Sequence, residues 1–182
     1  EMPTRVRALF SGTYNNFYDL SLSSLFIAEL RKLVSCEVHW ARPVESPISK
    51  LDVGEGNVFS VSRKEMPALI SNYSFGVSVC KMDAGPSLTA SMPTKIGEFL
   101  ATGRPMVVNA GLGDMDAFIR EAKIGVILDG SKENLRKGAS ELIEIITDPD
   151  TPKRCRGIAE KYFNMDVGAD KYLKLYSRIL EV

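Results

Sequence analysis

Short runs rich in β-branched and aromatic residues alternate with amphipathic stretches along nearly the whole chain, and this alternation restricts the fold more than any other feature. Residues 5–10, 36–41, 58–61, 75–80, 106–109 and 125–128 read as strands. Residues 18–33, 93–102, a short segment after Asp114, 132–147, 151–163 and 169–180 read as helices, with a further helix running from Ser62 to about residue 73. When helices make the connections, successive strands run parallel, and a parallel sheet has to be covered on both faces. The expected architecture is therefore a doubly wound α/β domain with a mainly parallel sheet of about six strands. Ligands in such sheets bind outside the carboxyl ends of the strands, which points to the loops at residues 11–15, 62–65, 81–92 and 110–114.

Local punctuation supports these limits. Ser62 and Glu65 have capping-box spacing ahead of the apolar positions Met66, Leu69 and Ile70. Pro93 opens and Gly103 closes the helix at 93–102, and Pro105 leads into the next strand. Asp114, after the Gly-Leu-Gly turn, is a candidate helix cap. Residues 43–56, with their Pro, Gly, Asp and Ser content, read as an irregular loop, and 81–92 as a polar loop long for a simple connection.

The 182 residues, 45% of them apolar, suit one domain, 1–182, with one core. Lys and Arg number 23 and Asp and Glu also 23, so the basic footprint of a nucleic-acid binder is missing and no nucleic-acid partner is expected. Cys36, Cys80 and Cys155 are odd in number and widely spaced, as reduced core thiols are. His39 is the single histidine, so a Ser/His/Asp relay and a His-rich zinc site both lack parts. It stands beside Trp40 in a strand and reads as structural, and no metal is expected. No stretch approaches the roughly 20 apolar residues that span a bilayer, and no signal-peptide pattern is present, so a soluble, cytoplasmic chain is expected. The chain begins Glu1-Met2-Pro3, which reads as a piece of a longer protein.

The stretch SMPTKIGEFLATGRPMVV at 91–108 carries the most chemistry. It places hydroxyls and free amide donors at a helix N-terminus beside a strand-end loop, which is a ready anion site. Ile96, Phe99 and Leu100 share the core face, leaving Glu98 toward the edge or solvent. There its carboxylate can accept from two vicinal ribose hydroxyls, or merely pair with Lys95 three residues earlier on the surface.

This stretch resembles the donor-binding, C-terminal domain of GT-B glycosyltransferases, particularly the group 1, family 4-like enzymes in which Ser-x-Pro-Thr-Lys-x-x-Glu-Tyr-x-Ala-x-Gly-Arg-Pro-Val-Val recurs. The resemblance extends to residues 11–13, 63–69 and 172–180. It implies a Rossmann-like half of a two-domain enzyme, with a nucleoside-diphosphate sugar as donor substrate and no separate cofactor. Residue by residue, it implies that Glu98 holds the ribose. Thr94, Lys95 and the backbone of Ser91, Met92 and Pro93 would face the diphosphate or sugar; Gly12 and Thr13 would form the first loop, and Arg63 would lie in the base-binding loop.

Two departures stand out. Ala90 occupies the place of the family's first glutamate, and the usual diphosphate-neutralising Arg and Lys have no clear match in the first two loops, where Lys95, Arg63 or Lys81 are the substitutes at hand. The implied reaction is sugar transfer to an acceptor hydroxyl in surface-polysaccharide or glycolipid synthesis, at the inner membrane face with peripheral association. The acceptor domain, absent from this chain, would supply the catalytic groups. The alternatives are a non-catalytic nucleotide-binding or scaffold module of a polysaccharide-assembly complex and, behind it, a sugar-nucleotide epimerase.

Overall fold

β1 (Arg5–Ser11), α1 (Leu20–Arg31) and β2 (Ser35–Arg42) form the first β-α-β unit, with β1 and β2 parallel from Arg5 opposite Ser35 to Ser11 opposite Ala41. The structure, a computed structural model, describes residues 3–13, 17–42 and 57–180. The irregular loop expected at 43–56 and the end of the first loop, at 14 and 15, lie outside the described residues. β3 (Asn57–Ser60), α2 (Met66–Ser71), β4 (Phe75–Ser78), α3 (Pro86–Thr89), α4 (Thr94–Ala101), β5 (Met106–Asn109), α5 (Met115–Ala122) and β6 (Gly125–Leu128) follow. Three helices close the described chain: α6 (Lys132–Thr147), α7 (Thr151–Tyr162) and α8 (Met165–Leu180).

All five strand pairings are parallel, and the sheet order is β3-β2-β1-β4-β5-β6. The chain winds outward from β1 to β3, returns to the centre at β4 and winds outward the other way. The crevice between β1 and β4 is therefore the switch point of a doubly wound sheet, where a ligand finds room between loops that turn to opposite sides.

Alternation along the strands divides the core. Phe10, Trp40, Phe75, Val77 and Val126 point to one face and pack with α1 and α6. Leu9, Met106 and Val108 point to the other and meet Ile70 of α2, Phe99 and Leu100 of α4, Ile119 of α5 and Cys155 of α7. On α1 the buried Leu22, Phe26, Ile27 and Leu30 form a stripe with helical spacing, and the Asp19 side chain caps the helix by accepting from the Leu22 N–H. Burying a side chain such as Phe26 contributes roughly 1.5–3 kcal/mol.

Several local expectations change. The Glu65 carboxylate does reach back to Ser62, accepting from its N–H at 3.1 Å and its hydroxyl at 2.6 Å. The helix nevertheless begins only at Met66, because residues 63–65 form a turn, and it ends at Ser71. The stretch expected as a plain loop at 81–92 contains the one-turn helix α3, entered through Gly85 at φ 62°. β4 stops at Ser78; the buried Cys80 N–H leaves the ladder and donates to Asn109 Oδ1 at 2.7 Å. Asp114 makes no side-chain cap, and Asp116 instead accepts from the Gly111 N–H. α8 starts at Met165, a turn earlier than expected, and buries none of its side chains.

Candidate functional site

At the carboxyl end of β1 the backbone is tightly held. The Gly12 N–H donates to Ala41 O and the Trp40 indole N–H donates to Gly12 O, each at 2.8 Å, and Gly12 has φ 92°. Lys95, in the first turn of α4, reaches over this end. Its ammonium donates to Ser11 O at 2.8 Å and lies 4.1 Å from the centre of the Tyr18 ring. A Cβ on Gly12 would stand 3.5 Å from Lys95 Nζ, an ordinary contact distance, so it is the positive φ and not crowding by the lysine that favours glycine there. Burial pushes the Lys95 ammonium down to about 8, against the opposing influence of Cys80 and Glu98.

Beside Lys95 a cavity of about 400 Å³ opens at the carboxyl ends of β1, β2 and β3. Ser11 and Gly12, Ala41 and Arg42, Val61, Arg63 and Met66, and Thr94, Lys95 and Glu98 line it. Several of its polar groups have bonding capacity to spare. Nε and Nη1 of Arg42 are buried without a hydrogen-bond partner, and so is the hydroxyl of Ser11, a residue only 4% exposed. The Ser78 hydroxyl, one step beyond the paired residues Phe10 and Val77 on β4, is buried in the same condition. An unbonded buried polar group costs about 1–3 kcal/mol, so several at one cavity mark a place where a polar ligand would restore the missing bonds. One helical turn from Lys95, Glu98 is exposed, and its carboxylate is bonded to no described residue.

No protein-family model matches the sequence, and no curated protein matches it. Solved structures do. AviGT4, a glycosyltransferase involved in avilamycin A biosynthesis, superposes with a TM-score of 0.68 at 15% identity over 97% of this chain and 52% of its own. Anabaena Alr3699/HepE in complex with UDP-glucose gives 0.67 at 10% identity over 96% and 49%. The sucrose-phosphate synthase of Thermosynechococcus elongatus gives 0.66 at 15% identity over 99% and 47%.

The chain has the fold of the C-terminal half of a GT-B glycosyltransferase. It spans about half the length of these structures.

Within this GT-B half, the residues singled out in the sequence divide into two groups. Gly12, Arg63, Thr94, Lys95 and Glu98 meet at the cavity. Thr13, Ser91, Met92 and Pro93 are not among its lining residues. Pro93 caps α4 and its carbonyl accepts from the Ile96 N–H at 3.0 Å. The Ser91 hydroxyl turns to Ser87 O, and its carbonyl stands 2.6 Å from where a Cβ on Gly113 would be. Arg42 is the cavity residue that the motif-based reading passed over. Its signal was its position, a basic residue directly after the strand expected at 36–41, at the end where ligands bind.

Other reactive side chains lie elsewhere or are quiescent. Burial pushes the thiols of Cys36 and Cys80 up to about 11 and that of Cys155 to about 12, so they stay protonated and weakly nucleophilic. His39 Nδ1 lies 2.6 Å from the Tyr73 hydroxyl, and the ring meets Phe59 edge-on. Among the described residues no three His, Cys, Asp or Glu side chains gather as a metal site, and no helix is long and apolar enough to cross a membrane.

Proposed function

We propose that this chain is the donor-binding domain of a glycosyltransferase and that the cavity beside Lys95 takes a nucleoside-diphosphate sugar. The observation that carries this reading is the pairing of two kinds of group in one cavity: buried cationic donors from Lys95 and Arg42, and the Glu98 carboxylate, which is bonded to no described residue. A nucleoside diphosphate has the complementary arrangement, with a multiply charged diphosphate next to a ribose whose two vicinal hydroxyls suit a bidentate carboxylate. The likeness to HepE, solved with UDP-glucose, agrees with a ligand of this class.

On this reading Lys95, Arg42 and the first-turn amides of α4 bind the diphosphate and stabilise the charge that develops on it as the sugar departs. Gly12 lets the ligand approach the backbone after β1, and Arg63 lies toward the base. The sugar passes to an acceptor hydroxyl held by a second domain, in polysaccharide or glycolipid synthesis at the cytoplasmic membrane face.

Calorimetric titration of the chain with UDP, GDP, dTDP and ADP tests the proposal. One nucleotide should bind selectively, and Glu98→Ala should weaken it by about 1.5–3 kcal/mol, the worth of a charged hydrogen-bonding contact. Failure of all four to bind folded protein would remove the basis of the reading.

A further inference from the structure

At the opposite end of the sheet, where the strands begin, lies a second cavity of about 410 Å³. Arg5 and Arg7 of β1 and Arg104 of the turn before β5 converge on it, together with the Ser74 hydroxyl and the ring of Tyr73. No carboxylate is among its described lining residues. The Arg5 guanidinium pairs with Glu37 on the neighbouring strand. The other two arginines are held by neutral acceptors: Arg7 donates to Asn72 O and Arg104 to Ser71 O, the carbonyls at the end of α2.

Among the described residues, that arrangement leaves two cations lining one cavity without a counter-charge. Each guanidinium has five N–H donors, of which a single carbonyl uses only a fraction, and Arg104 Nε is buried with no partner. The Arg7 guanidinium is also fixed in place, 5.2 Å from the centre of the Tyr73 ring. The Ser74 hydroxyl accepts from the Arg7 N–H at 3.0 Å and keeps its own proton to donate. The positive field reaches His39, whose pKa is held down by burial first and then by Arg7 and Arg5.

We propose that this cavity binds a phosphate monoester, carried by a soluble molecule or by a lipid headgroup, through Arg5, Arg7, Arg104 and the Ser74 hydroxyl. Planar guanidinium forks match phosphate oxygens in pairs, and a doubly charged anion supplies the counter-charge that Arg7 and Arg104 lack among the described residues. Capping α2 alone would account for the two carbonyl bonds. It would not account for a polar concavity of this size, three converging guanidinium groups and an unspent buried N–H. The site lies at the amino ends of the strands, so it stands whether or not the cavity beside Lys95 takes a nucleotide.

His39 supplies the test, because it is the protein's single histidine and its ring signal in NMR needs no assignment. It is faced by Arg5 and Arg7 from β1, by the Tyr73 hydroxyl and by the Phe59 ring from β3, with Glu37 two residues away on its own strand. An anion seated on the arginines cancels part of their field, so the His39 pKa should rise. The measurement is the His39 titration in chloride, then at matched ionic strength with inorganic phosphate, and with phosphatidylcholine vesicles lacking or containing phosphatidic acid.

A rise of about half a unit or more with inorganic phosphate supports the site with a soluble ligand; a rise only with phosphatidic acid supports it with a lipid source. Arg104→Gln, whose charge is not among those that hold the His39 pKa down, should abolish the rise while leaving the titration in chloride in place. If it does not fold, Arg5→Gln is the second variant, with a chloride titration that starts higher because Arg5 itself lowers the His39 pKa, and with the phosphate-induced rise from that new starting value again abolished. No rise with either phosphate source, or an equal rise in Arg104→Gln, would overturn the proposal.

Discussion

Lys95 shows how one side chain ties stability to binding. In the fold its pKa falls from 10.5 to about 8, so between those values the unfolded chain holds more protons than the native one. Stability should therefore rise as the pH goes from about 8 to 10.5, visible as a rising urea midpoint that Lys95→Met flattens. Nucleotide affinity should run the other way, falling as pH climbs through about 8, because a diphosphate favours the charged ammonium. At Gly12, φ 92° is a conformation that side chains rarely adopt. Gly12→Ala should cost about 1–3 kcal/mol in chemical denaturation, and the cause would be backbone strain, since the nearest obstacle, Lys95 Nζ at 3.5 Å, is at ordinary contact distance. Spacing in the sequence put Lys95 and Glu98 on neighbouring turns but left open whether they pair on the surface. The fold turns Lys95 inward to Ser11 and leaves Glu98 outside.

Close approach between elements is decided at glycines. A Cβ on Gly125 of β6 would fall 2.0 Å from Met106 O on the paired strand β5, whereas one on Gly97 of α4 would fall 2.6 Å from the Phe163 ring. A ring can rotate away and a paired carbonyl cannot. Gly125→Ala should therefore lower the thermal midpoint more than Gly97→Ala, whose cost should be about 1–3 kcal/mol. At the start of α6 the Ser131 hydroxyl accepts from the Asn134 N–H at 3.2 Å, and Ser131→Ala should cost about 1 kcal/mol by urea denaturation. The helix at α4 was legible because Pro93, Gly103 and Pro105 bracket it. α3 was not: a single turn leaves no periodicity to read, and its entry depends on Gly85 at positive φ.

Across the whole molecule, the two core layers hold the sheet between α1 and α6 on one side and α2, α4, α5 and α7 on the other. α8 stands outside both, with no buried side chain and Tyr172, Tyr176 and Ile179 exposed. A chain ending at Asn164 should unfold cooperatively within a few degrees of the full chain, because it loses little buried area. The six strands, their helical connections and the parallel sheet could be read from the sequence, because local patterning of apolar residues carries each element and helical crossovers impose the strand direction. So could Glu98 and Lys95, through the stretch at 91–108. Only the tertiary structure decided that Arg42 and Ser11 meet Lys95 at one cavity, and that Arg5, Arg7 and Arg104 meet at the other. Apart from Arg5 and Arg7, neighbours on β1, the residues of each set lie far apart in the chain and on different elements, and their convergence depends on strand order and register, which no local pattern specifies.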